Sequence, residues 1–165
     1  MISRVIVSKS LIASFRKRAV AAYPKEAMCT LWGKVEGDTV LVTTFKDIPH
    51  EASESEVNYF ESDALSHAGH GEHYLGSLHS HPDSLDATPS QADWDTSFSS
   101  GERVFAVMRV TKLKTGRFTT EIRYWEPRPE ITIVYPRVRD ANRNKQQIES
   151  KAVQILPEVS REEVT

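Results

Sequence analysis

Gly76-Ser77-Leu78-His79-Ser80-His81-Pro82-Asp83-Ser84-Leu85-Asp86-Ala87-Thr88-Pro89-Ser90-Gln91-Ala92-Asp93 is the stretch from which the rest of the chain is read. Tyr74–His81 predicts a strand. Strand side chains alternate between the two faces, so His79 and His81 point the same way, and Pro82 leaves the pair at the strand's end. Pro89-Ser90-Gln91-Ala92-Asp93 has the pattern of a helix start, with Ser90 at the N-cap and Asp93 in the first turn, and predicts a short helix over Ser90–Ser99. If that turn folds back beside the strand end, His79, His81 and Asp93 offer two nitrogens and one oxygen to a single metal ion. Three protein ligands with one position left for water is the pattern of a catalytic zinc; a structural zinc is closed by four. Taken singly the parts say little. His-x-His is common, Ser-x-x-Asp marks only a helix start, and Asp83, Asp86 and Asp95 are rival carboxylates.

Outward from this stretch the chain reads as one α/β domain. Ile2, Val5 and Val7 predict a strand over 2–7. Leu11, Ile12, Phe15, Ala19 and Ala22 follow helical spacing over Lys9–Ala22, with Ser8 or Ser10 as cap and Pro24 as stop. Ala27–Val35 and Thr39–Phe45 form a hairpin around Glu36-Gly37-Asp38. Residues 47–73 have no sustained period and read as a loop or partly helical insertion. Arg103–Val110 and Phe118–Trp125 are two further strands around Lys114-Thr115-Gly116; Ile131–Tyr135 is another, and Asn144–Ile155 a C-terminal helix. The domain is placed at 1–135, with 136–165 a polar, basic, partly helical segment packed on it or trailing it. Strands joined by hairpins and interleaved with helices imply a mixed, mostly antiparallel sheet.

The 165 residues suffice for a real core, and 39% apolar content excludes a disordered chain. No apolar run reaches the roughly 20 residues of a membrane-spanning helix, and the start lacks the apolar core of a signal peptide, so the expected location is the cytoplasm. The single Cys29 excludes an internal disulfide and any multi-cysteine zinc site. The net charge of −2 conceals an asymmetry. Residues 1–25 hold six basic groups and no acid, residues 47–102 twelve acids and no Lys or Arg, and residues 103–165 thirteen basic groups against eight acids. An acidic middle does not grip phosphates, and a cationic partner or a bound cation suits it better. A merely solvated surface is the competing reading.

His79-Ser80-His81-Pro82 followed by Ser90-x-x-Asp93 resembles the JAMM (JAB, MPN+) zinc metalloproteases, whose motif is a distant Glu, His-Ser/Thr-His, a seven-residue gap and Ser-x-x-Asp. The gap here, 82–89, is eight residues, an insertion that a loop tolerates. The family's Glu stands in Pro-x-Glu after the first helix, and Pro24-Lys25-Glu26 occupies that place, with Cys29 where the family has Gly. The resemblance covers roughly residues 1–125. It implies a cytidine-deaminase-like α/β/α sandwich and one Zn2+ on His79, His81 and Asp93. It makes Glu26 the proton shuttle and implies cleavage after the C-terminal Gly of ubiquitin or a ubiquitin-like protein. Ser90 is placed to donate to the oxyanion of the tetrahedral intermediate. The compact chain is similar to stand-alone bacterial members, which serve ubiquitin-like conjugation systems, some in antiphage defence, or process sulfur-carrier proteins. The insertion, with Glu54, Glu56 and Glu61, lies where relatives touch the ubiquitin-like partner. The competing class is a non-catalytic scaffold of the same fold. Nucleic acid and membrane are not expected partners.

The remaining residues receive structural readings. Cys29 lies in an apolar run and reads as a buried small hydrophobe. His67, His70 and His73 read as solvated loop residues, Ser80 as structural, and Trp32, Trp94 and Trp125 as packing. Arg137, Arg139, Arg143 and Lys145 read as a solvated tail.

Overall fold

Helix α1 spans Lys9–Ala22 because its apolar residues recur on one side and Ser8 caps it, the Leu11 N–H donating to Ser8 Oγ at 3.2 Å. Phe15 and Ala19 on that side are buried. The computed structural model describes residues 1–47, 50–52, 57–59, 72–84, 86–133 and 146–155. Strand β1 is Arg4–Val7, and the hairpin strands are β2 (Met28–Glu36) and β3 (Thr39–Lys46). β6 is His73–Pro82, α2 Gln91–Ser99, β7 Phe105–Lys112, β8 Phe118–Ile133 and β9 Gln146–Ile155, while β4 (His50–Ala52) and β5 (Val57–Tyr59) stand apart. The main sheet has seven strands in the order β1-β3-β2-β6-β7-β8-β9. β1 is parallel to β3 and β6 to β7, and the other neighbours are antiparallel, so the sheet is mixed and mostly antiparallel.

Alternation along β7 assigns the two helices to opposite faces. Ala106 and Met108 join Phe15 and Ala19 of α1 in one core, whereas Phe105 and Val107 join Ala87 and Trp125 in another, against which Trp94 of α2 packs. The result is the expected α/β/α arrangement. Two glycines allow the sheet its close approaches at irregular register. A Cβ on Gly76 would stand 1.8 Å from the Val104 carbonyl oxygen, and one on Gly33 1.9 Å from that of Leu41. Among the described residues no helix is long and apolar enough to cross a membrane.

Three expectations are corrected. Residues 50–52 and 57–59 form an antiparallel two-stranded sheet inside the insertion read as loop or helix. Pairs this short, among Ser and Glu, leave no readable period. Residues 48–49, 53–56 and 60–71 of the insertion, with Glu54, Glu56, Glu61, His67 and His70, lie outside the described residues. Ile131 and Ile133 do not begin a new strand, because β8 runs unbroken from Phe118 to Ile133. Beyond Trp125 its described neighbour is β9 alone, and Pro127 and Pro129, two apart, can both turn their nitrogens away from it. Residues 146–155 are a strand, not a helix, and pair with 124–133 along the open side of β8. Ile148, Ala152 and Ile155 carry helical spacing, but Val153 and Ile155 also alternate, and the ladder offered by β8 decides between the two periods.

Candidate metal centre

The site is built at the end of β6. His79 and His81 share the face turned to α2, and their Nε2 atoms are 3.0 Å apart. Asp93, one turn into α2, brings Oδ1 to 3.2 Å from His79 Nε2 and Oδ2 to 3.4 Å from His81 Nε2. All three ligand atoms lie within 4.8 Å of one another. Donors bonded to one tetrahedral zinc at about 2.0–2.1 Å stand roughly 3.3–3.4 Å from each other. The donor set and its spacing therefore fit a single ion of that kind. No second cluster of three such residues occurs among the described ones.

Asp93 is held by a reciprocal capping box. Its Oδ2 accepts from the Ser90 N–H at 2.6 Å and from Ser90 Oγ at 2.7 Å, and its own N–H donates back to Ser90 Oγ at 3.2 Å. The Ser90 hydroxyl is thus turned to the carboxylate. Burial alone would push the Asp93 carboxyl up. Hydrogen bonds from His79 and His81 and the charge of His79 outweigh it and hold the carboxyl well below the usual range, in the ionised form that binds metal. Burial opposes protonation of His79, yet Asp93, with Glu26 and Glu102 farther off, holds that imidazole above its ordinary value.

Glu26 is buried between α1 and β2, with Oε1 4.0 Å from His81 Nε2. Among the rival carboxylates, Asp83 accepts from the Tyr23 hydroxyl and, at 3.3 Å, from the Lys112 N–H. Asp86 accepts the Thr88 N–H at 2.9 Å, and Asp95 pairs with Gln91 at 2.9 Å. Sequence reasoning missed Glu102, a buried carboxylate that accepts from Ser97 Oγ and, at 2.9 Å, from the Tyr74 hydroxyl, tying the end of α2 to β6. Nothing in its local sequence marks it; its partners come from other elements. Two acids of the insertion are matched from outside it. Asp47 pairs with Arg18, and Glu72 takes Lys46 at 3.2 Å together with the Thr43 and Thr44 hydroxyls.

Sheet, helices and cluster together define an α/β/α protein with a His-His-Asp centre where a strand end meets a helix start. Residues 8–126 match the family described as prokaryotic homologs of the JAB domain, and the chain belongs to that family. Its fold is similar to the solution structure of protein DSY2949 from Desulfitobacterium hafniense, with a TM-score of 0.57 and 16% identity over 94% of this chain and 93% of that one. AF2198, a JAB1/MPN domain protein from Archaeoglobus fulgidus, matches with a TM-score of 0.45 and 16% identity over 76% of this chain and 88% of its own. No curated protein matches the chain.

Proposed function

We propose that the chain is a zinc-dependent peptidase or isopeptidase that hydrolyses the bond after the C-terminal glycine of a ubiquitin-like protein. The observation that carries the reading is the convergence of His79, His81 and Asp93, with the buried Glu26 carboxylate 4.0 Å from His81. A scaffold has no use for a buried carboxylate beside three metal ligands, whereas a hydrolase needs one there. His79, His81 and Asp93 hold the ion. When bound, zinc supplies Lewis acidity toward the scissile carbonyl and a water that ionises near neutral pH. Glu26 takes the proton of the attacking water at its carboxylate and delivers it to the leaving amine. Ser90 reaches the developing oxyanion only by turning its hydroxyl from Asp93; otherwise it serves to hold Asp93 in place.

The substrate class and its docking rest on the family resemblance and the charge pattern. Glu54, Glu56 and Glu61 are assigned to a basic surface of the ubiquitin-like partner, an attraction that acts on encounter rate as much as on affinity. Deconjugation and precursor processing use the same chemistry, and the proposed location is the cytoplasm. Zinc content measured on protein purified without added metal, together with cleavage of a ubiquitin-like protein extended beyond its terminal Gly, tests the reading. The expected result is one zinc per chain and release at that Gly. Protein without zinc, inert toward the extended substrate after zinc is added, would make the chain a scaffold.

A further inference from the structure

We propose that Ser80 is a positioning residue for Glu26: its buried hydroxyl, acting through the Ala27 backbone, sets where the Glu26 carboxylate stands relative to His81. The proposal rests on the peptidase reading. Ser80 lies between the two imidazoles in sequence but faces the opposite side of the sheet, fully buried toward the α1 core. A hydroxyl there is costly unless it is used. It is used: Ser80 Oγ accepts the Ala27 N–H at 2.8 Å, and the Ser80 N–H donates to the Ala27 carbonyl at 2.9 Å.

These two bonds extend the β2–β6 ladder one step beyond Met28 and His79, its last register pair at that end. Ala27 is itself buried, so without the hydroxyl its N–H would lose its partner in the interior. Glu26 is one peptide bond from the clamped residue, and on its other side the chain leaves α1 through a turn closed by Lys25 N–H to the Ala22 carbonyl at 3.0 Å. The clamp therefore joins the segment carrying the carboxylate to the segment carrying both imidazoles. A displacement of about 1 Å at a reacting group can cost about 100-fold in rate.

The test compares Ser80→Ala with Ser80→Thr in the zinc-loaded full chain. The probe is a quenched peptide in which Gly-Gly is joined to a lysine side chain by an isopeptide bond. Ser80→Ala should keep the zinc content and KM of the wild type while kcat falls about 10- to 100-fold, and Ser80→Thr should restore kcat. Amide exchange, read by NMR on both forms, should accelerate about 10-fold or more at Ala27 in the alanine variant and stay unchanged at Leu31. Ser80→Cys, of similar shape but a weak acceptor, gives the same comparison if the alanine variant does not fold. Unchanged Ala27 exchange, or a kcat within twofold of wild type, overturns the proposal even if the chain is a peptidase. A wild-type chain that cleaves neither this probe nor a folded ubiquitin-like conjugate overturns the peptidase reading and, with it, the catalytic meaning of the clamp.

Discussion

The two faces of the sheet are built from the same strands and bear different loads. Toward α1 lies a cluster of seventeen buried apolar residues, from Ile2 to Tyr124; toward α2 the corresponding cluster has four. Apolar burial, and with it most of the hydrophobic driving force, is thus concentrated on one side. The α2 side also buries Met28 and Trp32, which alternate with Cys29 and Leu31 of the α1 core, but beside them it buries the polar His79, Thr30, Ser77, Ser97 and Glu102. Within β6 the contrast is one residue wide, with Leu78 inside the α1 core and His79 on the metal centre. One face holds the fold while the other holds polar groups that packing alone would not select. Substitutions should therefore separate into those that remove function with the fold intact and those that do the reverse.

The sharpest separation is expected at the ligands. His79→Ala or Asp93→Ala should lose zinc and hydrolysis together, because each removes one of three protein donors, while far-UV circular dichroism stays that of the wild type. Stoichiometric zinc and undiminished turnover in either variant would break the ligand assignment. Glu26→Gln comes next. It should retain zinc and KM and lose about 10²–10⁴-fold in kcat, the contribution of a positioned proton shuttle. Full activity there would move the proton shuttle elsewhere.

Phe15→Ala tests the opposite face. Deleting a fully buried aromatic ring that packs edge-on against Phe45 at 6.5 Å should cost about 3–5 kcal/mol of stability. In a chain of this size that is a fall of roughly 10 °C in Tm. Zinc per folded chain and kcat below the transition should remain those of the wild type. A Phe15→Ala protein that stays folded but loses zinc would show that the two faces are coupled.

Much of this arrangement was legible in the sequence, for local reasons. Lys9–Ala22 has a long period, a cap and a stop, and it forms over those residues. His79, Ser80 and His81 could be assigned to faces because strand alternation is rigid, and Ser90 with Asp93 because a capping box is a local device. What could not be read depended on partners far along the chain. Residues 146–155 carry two competing periods, and only the unpaired side of β8 selects the strand. Glu102 has no signature until Ser97 and Tyr74 surround it. Nor does the sequence show that Asp47 and Glu72 of the insertion meet Arg18 and Lys46, which lie outside it.

With those two acids matched, the docking proposal narrows to the remaining acids. Replacing Glu54, Glu56 and Glu61 together by Gln should raise KM for a folded ubiquitin-like substrate and flatten its salt dependence. Exposed charge contacts are each worth about 1 kcal/mol or less, so the loss in kcat/KM should be roughly 10-fold. Cleavage of a short peptide should be unaffected. Equal kinetics on the folded substrate at low and high salt would return this stretch to a solvated surface.

The smallest effect belongs to the α1 face and appears only in alkali. Burial pushes the Cys29 thiol well above its ordinary 9.0 and the Tyr124 phenol, whose hydroxyl has no hydrogen-bond partner among the described residues, above 10.0. Both groups stay neutral in the folded chain while the unfolded chain ionises them. Their contribution is fully present below those ordinary values and is lost progressively as pH rises above them toward the raised native values, because over that range the unfolded state binds fewer protons than the native one. Each group lowers stability by up to about 1.4 kcal/mol per pH unit in that window. Cys29→Ala should therefore cost roughly 1 kcal/mol at pH 7, flatten the decline in urea-measured stability just above pH 9, and leave zinc content and kcat unchanged. In the wild type the thiol should react with a disulfide reagent only at the rate at which the chain opens. A native thiol that reacts freely at pH 8, or an unaltered alkaline slope in Cys29→Ala, would mean that water reaches the α1 core, and the division of labour between the faces would fail at its drier side.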